Sequence, residues 1–330
     1  MDLRAELVEW VEAETGATVA HVRRNYGGGS RVTWFVDAER GGAPLALVVR
    51  EESGAGAFSG SVLSLAREGT VYRALRDTPV RIPRLHAATD DGQALLIERV
   101  AGSADLSRLS HDDRHTALLE FVDALAELHA VDVDTLSLDG FTRPMNAAEH
   151  ALVEVELWSA LAREVGAPAD PEIVYALAWL SAHPPAMVER TVLVQGDTGP
   201  GNFVAVGGHL SALVDWEFAH LGDPMDDLAW VEYRLRRTSD APSFDTLVSR
   251  YVSSTGRAVD REAIAYYAVL VQVRCAITTA RTIARGGGAV GLTGYLVAHR
   301  RFLEGITAAL ARAVGAAPAP TPQLDATPTT

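Results

Sequence analysis

The chain has 330 residues, 48% of them apolar and 22% charged, with a formal net charge of −14. This length exceeds what one small core holds, so two lobes or domains are expected. The acidic balance argues against a nucleic acid or an anionic membrane as partner. All 29 basic residues are arginine. A chain without lysine has no P-loop lysine and no Schiff-base lysine for pyridoxal phosphate.

The N-terminal segment, MDLRAELVEWVEAETG, carries acidic residues and no apolar run, so no signal peptide is expected. No uninterrupted apolar stretch reaches about 18 residues, and no membrane span is expected. The lone cysteine, Cys275, excludes an internal disulfide framework and suits a reducing cytoplasm. Its apolar neighbours assign it to packing.

In chain order, residues 2–15 show helical spacing, with Leu3, Leu7, Val8 and Val11 on one face. Strand-like runs at 21–25 and 32–37 flank Tyr26-Gly27-Gly28-Gly29-Ser30, and 45–50 (LALVVR) is a further strand. Residues 51–61, rich in Gly, Ser and Ala, predict a mobile loop. A helix is expected over 62–76, ended by Pro79 and Pro83, then a strand over 94–100 and a hinge at Ala101-Gly102-Ser103. The first hundred residues thus predict a small, mostly antiparallel sheet with one helix. Beyond them the pattern is mainly helical, at 111–129 behind a Ser110 cap, 147–165, 171–182, 244–252, 261–285 and 293–314. Short strands at 192–194, 203–206 and 210–214 interrupt it, the last two joined through Gly207-Gly208-His209. Residues 315–330 are rich in Pro, Ala and Thr and predict a disordered tail.

The chemistry concentrates in VLVQGDTGPGNFVAVGGHLSALVDWEFAHLGDPMDDLAW, residues 192–230. Asp197 follows a strand in a glycine-rich loop, Asn202 lies five positions on, and Asp215 ends the hairpin behind them. Phosphoryl-transfer enzymes use such a set: one carboxylate orients the acceptor hydroxyl, while an amide and a second carboxylate hold Mg²⁺. Mg²⁺ takes hard oxygen ligands of this kind. Asp, Asn and Gly are also ordinary turn residues, and the Asp–Asn spacing alone is a weak signal. Spacing, hairpin and lobe order together favour the functional reading. His111 and His115, four apart on a helix, are better read as an exposed helix start than as a metal pair.

Gly196-Asp197, Asn202, Asp215-Trp216-Glu217, His220-Leu221-Gly222-Asp223-Pro224 and Asp227-Leu228-Ala229 together resemble the signature of the aminoglycoside phosphotransferase and choline kinase family. The branch most resembled is bacterial phosphotransferases akin to the kinase-like domains of acyl-CoA dehydrogenase-associated proteins. The likeness runs over roughly residues 20–310, specific in the centre and looser elsewhere. It implies an α+β, two-lobed, protein-kinase-like fold. An N-terminal nucleotide-binding lobe (1–101) would precede a mainly helical catalytic and acceptor-binding lobe (102–314) and the tail. It implies ATP and Mg²⁺ as cofactors and a small-molecule hydroxyl as acceptor. Asp197 becomes the catalytic residue and Asn202 and Asp215 the metal ligands. Gly28, Gly29 and Ser30 become the loop over the phosphates, Arg50 the phosphate-binding cation and Glu68 its partner. Glu98 and Val100 flank the backbone that contacts adenine. His220, Asp223 and Asp227 would brace the metal loop.

Two positions depart from the family pattern. Gln195 replaces a common His before the catalytic Asp, and Arg50 replaces the usual Lys; a planar guanidinium is no simple substitute for a point charge. The second departure motivates an alternative reading, a nucleotide-binding regulatory protein with weak or no catalysis. A protein kinase is disfavoured, since no A-P-E motif follows Asp215. Arg274, Arg281 and Tyr295 are candidates for the acceptor cleft, with packing as the competing reading.

Overall fold

The computed structural model describes residues 3–25, 31–52, 54, 56–165, 170–286 and 291–315. The expected phosphate loop Gly28-Gly29-Ser30 and the tail from 316 lie outside them.

Helix α1 (Ala5–Thr15) ends at Gly16 and leads into β1 (Thr18–Asn25), β2 (Val32–Arg40) and β3 (Ala43–Glu51). Helix α2 (Leu65–Leu75) follows, its first turn capped by Ser64, and then β4 (Leu85–Ala88) and β5 (Ala94–Glu98). The strands form one antiparallel sheet in the order β1-β2-β3-β5-β4. Side chains alternate across a sheet with period two. Leu47 and Val49 of β3 therefore pack with Leu7 and Val11 of α1, Trp34 and Leu96 on one face. Ala46, Val48 and Arg50 point to the other face, into the interlobe cleft. The same parity that builds the small core thus aims Arg50 at the site.

The second lobe comprises α3 (His111–Ala130), α4 (Glu149–Glu164) and α5 (Pro171–Ala182), then β6 (Val192–Val194), β7 (Phe203–Val206), β8 (His209–Leu213) and β9 (His220–Gly222). Helices α6 (Pro224–Leu235), α7 (Phe244–Thr255), α8 (Arg261–Ala284) and α9 (Leu292–Ala313) complete it. Two short ladders, β6 with β9 and β7 with β8, sit on the helical core. Helix α8 is long and apolar enough to cross a membrane, but 67% of its apolar window is buried inside the lobe, as in a core helix. The fold is α+β and kinase-like, as expected from the resemblance.

Strands β4 and β9 escaped the sequence reading because each is only 4 or 3 residues long and, unlike β6 and β7, neither is an uninterrupted apolar run. The expected mobile loop is also corrected over 56–61. Phe58 is fully buried and meets Trp158 and Phe218 edge-on, at ring-centroid distances of 5.9 and 5.2 Å. Arg281 Nε donates to the Ala57 carbonyl at 2.7 Å, and Arg285 donates to the carbonyls of Gly56 and Ser59. A segment that composition marks as loose is thus clamped by helix α8 of the other lobe. From α2, Arg67 donates to the carbonyls of Gly140 and Ala219, both at 3.1 Å, and lies over the Phe141 ring. Residues 56–61 and the start of α2 therefore form a strap across the lobes.

Candidate active site

A cleft of about 1540 Å³ separates the lobes, and its wall includes Arg50, Glu98, Val100, Asp197, Asp215 and Glu217. The hinge closes one side: Ser103 and Ala205 exchange backbone hydrogen bonds at 3.0 and 3.1 Å, and Ser211 Oγ donates to the Ala101 carbonyl at 2.7 Å.

The loop bearing Asp197 is held from beneath. Gly196 has φ +83°, and a Cβ there would lie 2.3 Å from the Phe218 carbonyl oxygen, so the chain passes where only glycine fits. Asp227, wholly buried on α6, accepts the backbone N–H groups of Gln195 and Gly196 at 2.9 Å each, and the Thr198 hydroxyl. His129 Nε2 lies 3.0 Å from the same carboxylate, and its Nδ1 lies 2.8 Å from the Tyr251 hydroxyl. Asp227 was expected to brace the metal loop; it braces the Asp197 loop instead. Gln195, at the departure from the family pattern, joins the two halves of the motif. Its Nε2 donates to the Val214 carbonyl at 2.6 Å and the Asn202 carbonyl at 3.2 Å, next to both expected metal ligands.

Asn202 Nδ2 donates to the Asp197 backbone oxygen and to Asp197 Oδ2, both at 2.7 Å. Those bonds occupy the amide nitrogen and leave the amide oxygen free to face a cation. Arg234, on the last turn of α6, reaches Asp197 Oδ1 with Nη2 at 2.5 Å and Nε at 3.1 Å. Burial raises the Asp197 carboxyl above the usual range, and Arg234 pulls it back toward the charged form. Sequence reading missed Arg234: it stands 37 residues from Asp197, and no local motif links them.

Asp215 has φ +65°, a left-handed conformation rare for a residue with a side chain. Its carboxylate meets Arg50 Nη2 at 3.0 Å, while Arg50 Nη1 meets Glu68 Oε1 at 2.8 Å. Glu68 is fully buried, and burial pushes its carboxyl up to about 7 against the pull of Arg50. Downstream, His220 contacts the Phe218 carbonyl at 3.0 Å and Asp226 at 3.3 Å, and Asp223 caps α6 through the Met225 N–H at 2.9 Å. These two hold the backbone beyond Asp215 rather than reaching the cleft wall. Glu98 is exposed, and its carboxylate accepts the Arg84 N–H at 3.2 Å.

For three acceptor candidates the structure decides between cleft and packing. Arg274 and Arg281 are fully buried. Arg274 binds both oxygens of Asp226 at 2.7 and 2.8 Å and Glu154 at 2.8 Å; Arg281 binds Glu164 at 2.7 Å. Both are core ties, because buried guanidinium groups need carboxylate partners. Tyr295 is not among the residues lining the cleft. Cys275 does reach the cleft wall beside Tyr233, but burial pushes its thiol up to about 12, far from a thiolate nucleophile. His111 is exposed beside Asp112, and no cluster of metal-binding side chains occurs among the described residues.

The profile of the phosphotransferase enzyme family, APH, matches residues 21–265. The chain belongs to that family. Among curated proteins, it is 26% identical over 195 residues to mouse acyl-CoA dehydrogenase family member 10, covering 56% of this chain and 18% of that protein. It is 26% identical over 180 residues to chicken acyl-CoA dehydrogenase family member 11, covering 48% and 22%. The chain thus spans about a fifth of the length of these relatives. Among solved structures, one is a Ralstonia eutropha protein crystallised as a candidate aminoglycoside phosphotransferase. It superposes with a TM-score of 0.69 at 21% identity, over 94% of this chain and 98% of that one. The macrolide 2′-phosphotransferase MphH of Brachybacterium faecium gives 0.62 at 19% identity, over 89% and 98%. An aminoglycoside phosphotransferase APH(4)-Ia mutant in ternary complex with ADP and hygromycin B gives 0.61 at 14% identity, over 94% and 99%. At these identities the structural likeness establishes the fold.

Proposed function

We propose that this phosphotransferase-family protein moves the γ-phosphate of ATP to a hydroxyl of a small molecule, with Mg²⁺. The observation that carries the reading is the meeting in one cleft of Asp197, Asn202 and Asp215 from the second lobe with the Arg50–Glu68 pair from the first. Residues 1–101 would hold the nucleotide and residues 102–314 the acceptor. The hinge backbone near Glu98 and Val100 would face adenine, and Gly28, Gly29 and Ser30 the phosphates.

The donor set fits a hard divalent cation: an amide oxygen of Asn202 with its nitrogen already engaged, and the carboxylate of Asp215. When bound, Mg²⁺ would neutralise charge on the phosphates. Asp197 accepts the acceptor's hydroxyl proton, Arg234 keeps that carboxylate ionised, and Arg50, set by Glu68, faces the α/β-phosphates. Catalysis then comes from positioning and electrostatics. The expected assay result is ADP release with one of a panel of hydroxylated compounds. Asp197→Ala should lose turnover and keep Mg·ATP binding by calorimetry. Absence of both turnover and Mg·ATP binding in the wild type sinks the reading.

One observation favours a second reading, a nucleotide-binding regulatory protein. Arg50 stands in the lysine position and grips Asp215 as well as Glu68. That reading expects ATP binding indifferent to Asp197→Ala and no transfer to any acceptor.

A further inference from the structure

The acceptor end of the cleft is basic in a chain of net charge −14. Its carboxylates are already matched. Asp197 pairs with Arg234, and Asp105 pairs with Arg108 at 3.2 Å. Glu217 belongs to the other end, where its field falls on Arg50. Arg237 differs from its neighbours. It lines the cleft and is exposed, and its guanidinium lies 3.9 Å from the centre of the Tyr233 ring. The guanidinium donates to the Tyr233 carbonyl at 3.3 Å, and no carboxylate pairs with it among the described residues.

Arg234 lies on the last turn of α6, and Arg237 lies in the turn just past its end, where its backbone N–H donates to the Arg234 carbonyl at 3.1 Å. Arg234 touches the carboxylate expected to receive the hydroxyl, and Arg237 lines the same cleft. A guanidinium placed over an aromatic ring still offers N–H donors to a planar anion. Trp230, Tyr233 and Phe302 add apolar and aromatic surface to the same wall. Among the described residues a polycation would meet arginines there and no unpaired carboxylate, a like-charge contact that disfavours it.

We propose that the acceptor is a hydroxyl compound that also carries an anionic group, a carboxylate or a phosphate, and that Arg237 binds that group while the hydroxyl sits at Asp197. This rests on the phosphotransfer reading and narrows it, against the aminoglycoside that the structural neighbours would suggest.

The test uses the full chain and four acceptor sets: hydroxycarboxylic acids of three to eight carbons, their amides, hexose phosphates with the free sugars, and kanamycin. Coupled ADP release gives kcat and KM. At least one acid or hexose phosphate should exceed its uncharged counterpart by a hundredfold or more in kcat/KM. Arg237→Gln should raise KM for that compound at least tenfold while kcat and the KM for Mg·ATP stay within twofold. Arg237→Lys should recover part of the loss. Which arm responds assigns the anion as carboxylate or phosphate. Preference for kanamycin or an uncharged partner, or a KM indifferent to Arg237→Gln, overturns the proposal. If nothing turns over, the phosphotransfer reading fails only where Mg·ATP binding is absent too, and acceptor binding decides this proposal in either case. Calorimetric heats for the acids or hexose phosphates that vanish in Arg237→Gln support it. Heats that are absent or equal in the two proteins overturn it.

Discussion

Replacing Phe58 by alanine probes the strap that crosses the lobes. The ring is wholly buried between Trp158 and Phe218, and the Arg281 guanidinium carbon lies 5.9 Å from its centre. Truncation removes roughly 150 Å² of apolar contact, worth about 4 kcal/mol at ~25 cal/mol per Å². Buried Phe→Ala substitutions cost ~3–5 kcal/mol once the residual cavity is included. Set against a total stability of roughly 5–15 kcal/mol, that is a large fraction. Urea unfolding of Phe58→Ala should show this loss. Val62→Ala, at a side chain 62% exposed, should stay within about 0.5 kcal/mol. The strap also leads directly into α2, so a loosened anchor should free Glu68 and weaken Mg·ATP binding. Phe58→Leu, which keeps most of the volume, should fall between wild type and Phe58→Ala on both readouts. A cost below about 1 kcal/mol would refute the packing argument. An unchanged nucleotide affinity in a destabilised Phe58→Ala would refute the link to α2.

Gly196→Ala should destabilise the protein and abolish turnover, because its Cβ would meet the Phe218 carbonyl oxygen at 2.3 Å. Gly41→Ala, at φ +59° with nothing within 4 Å, should cost only backbone strain of about 1 kcal/mol, and unfolding curves compare the two. Arg234→Gln removes the cation that offsets burial of Asp197, so that carboxyl rises further; the acidic limb of the kcat/KM profile should move to higher pH. An unmoved limb would mean that Arg234 does not set the ionisation. The Asp223 carboxyl is pushed by burial from 3.8 to about 7. The folded state thus keeps a proton that the unfolded chain releases, and this contribution is full at low pH and lost as pH rises through that window. Asparagine still caps a helix. The stability of Asp223→Asn relative to wild type should therefore increase from pH 5 to pH 8 in urea titrations, and a difference independent of pH contradicts the assignment.

The local signals were legible where they were dense. Helical periodicity placed 171–182, and apolar runs placed the strands at 192–194 and 203–206, in agreement with the elements observed. Asp197, Asn202 and Asp215 were visible as residue types at fixed spacings around one hairpin, and the structure brings Asp197 and Asn202 into contact and puts Asp215 on the same cleft. Arg50 and Glu68 required the resemblance, since each alone is an ordinary charge in an ordinary element; they meet at 2.8 Å because α2 packs on β4 and β5 of the sheet that carries β3.

Composition misled at 56–61, because small residues signal freedom only when nothing covers them, and here α8 does. At Arg274 and Arg281 the sequence left cleft and packing both open, and the structure decides for packing, because Glu154, Asp226 and Glu164 answer the buried charges. The sequence by itself determined the lobe order, the carboxylate–amide–carboxylate set and the absence of any lysine, because these are written in contiguous residues. Only the tertiary structure decided which arginines serve the cleft. Arg234 and Arg237 face it, and Arg274 and Arg281 do not, because a guanidinium's role follows from its partners, and those lie up to 224 residues away in the chain.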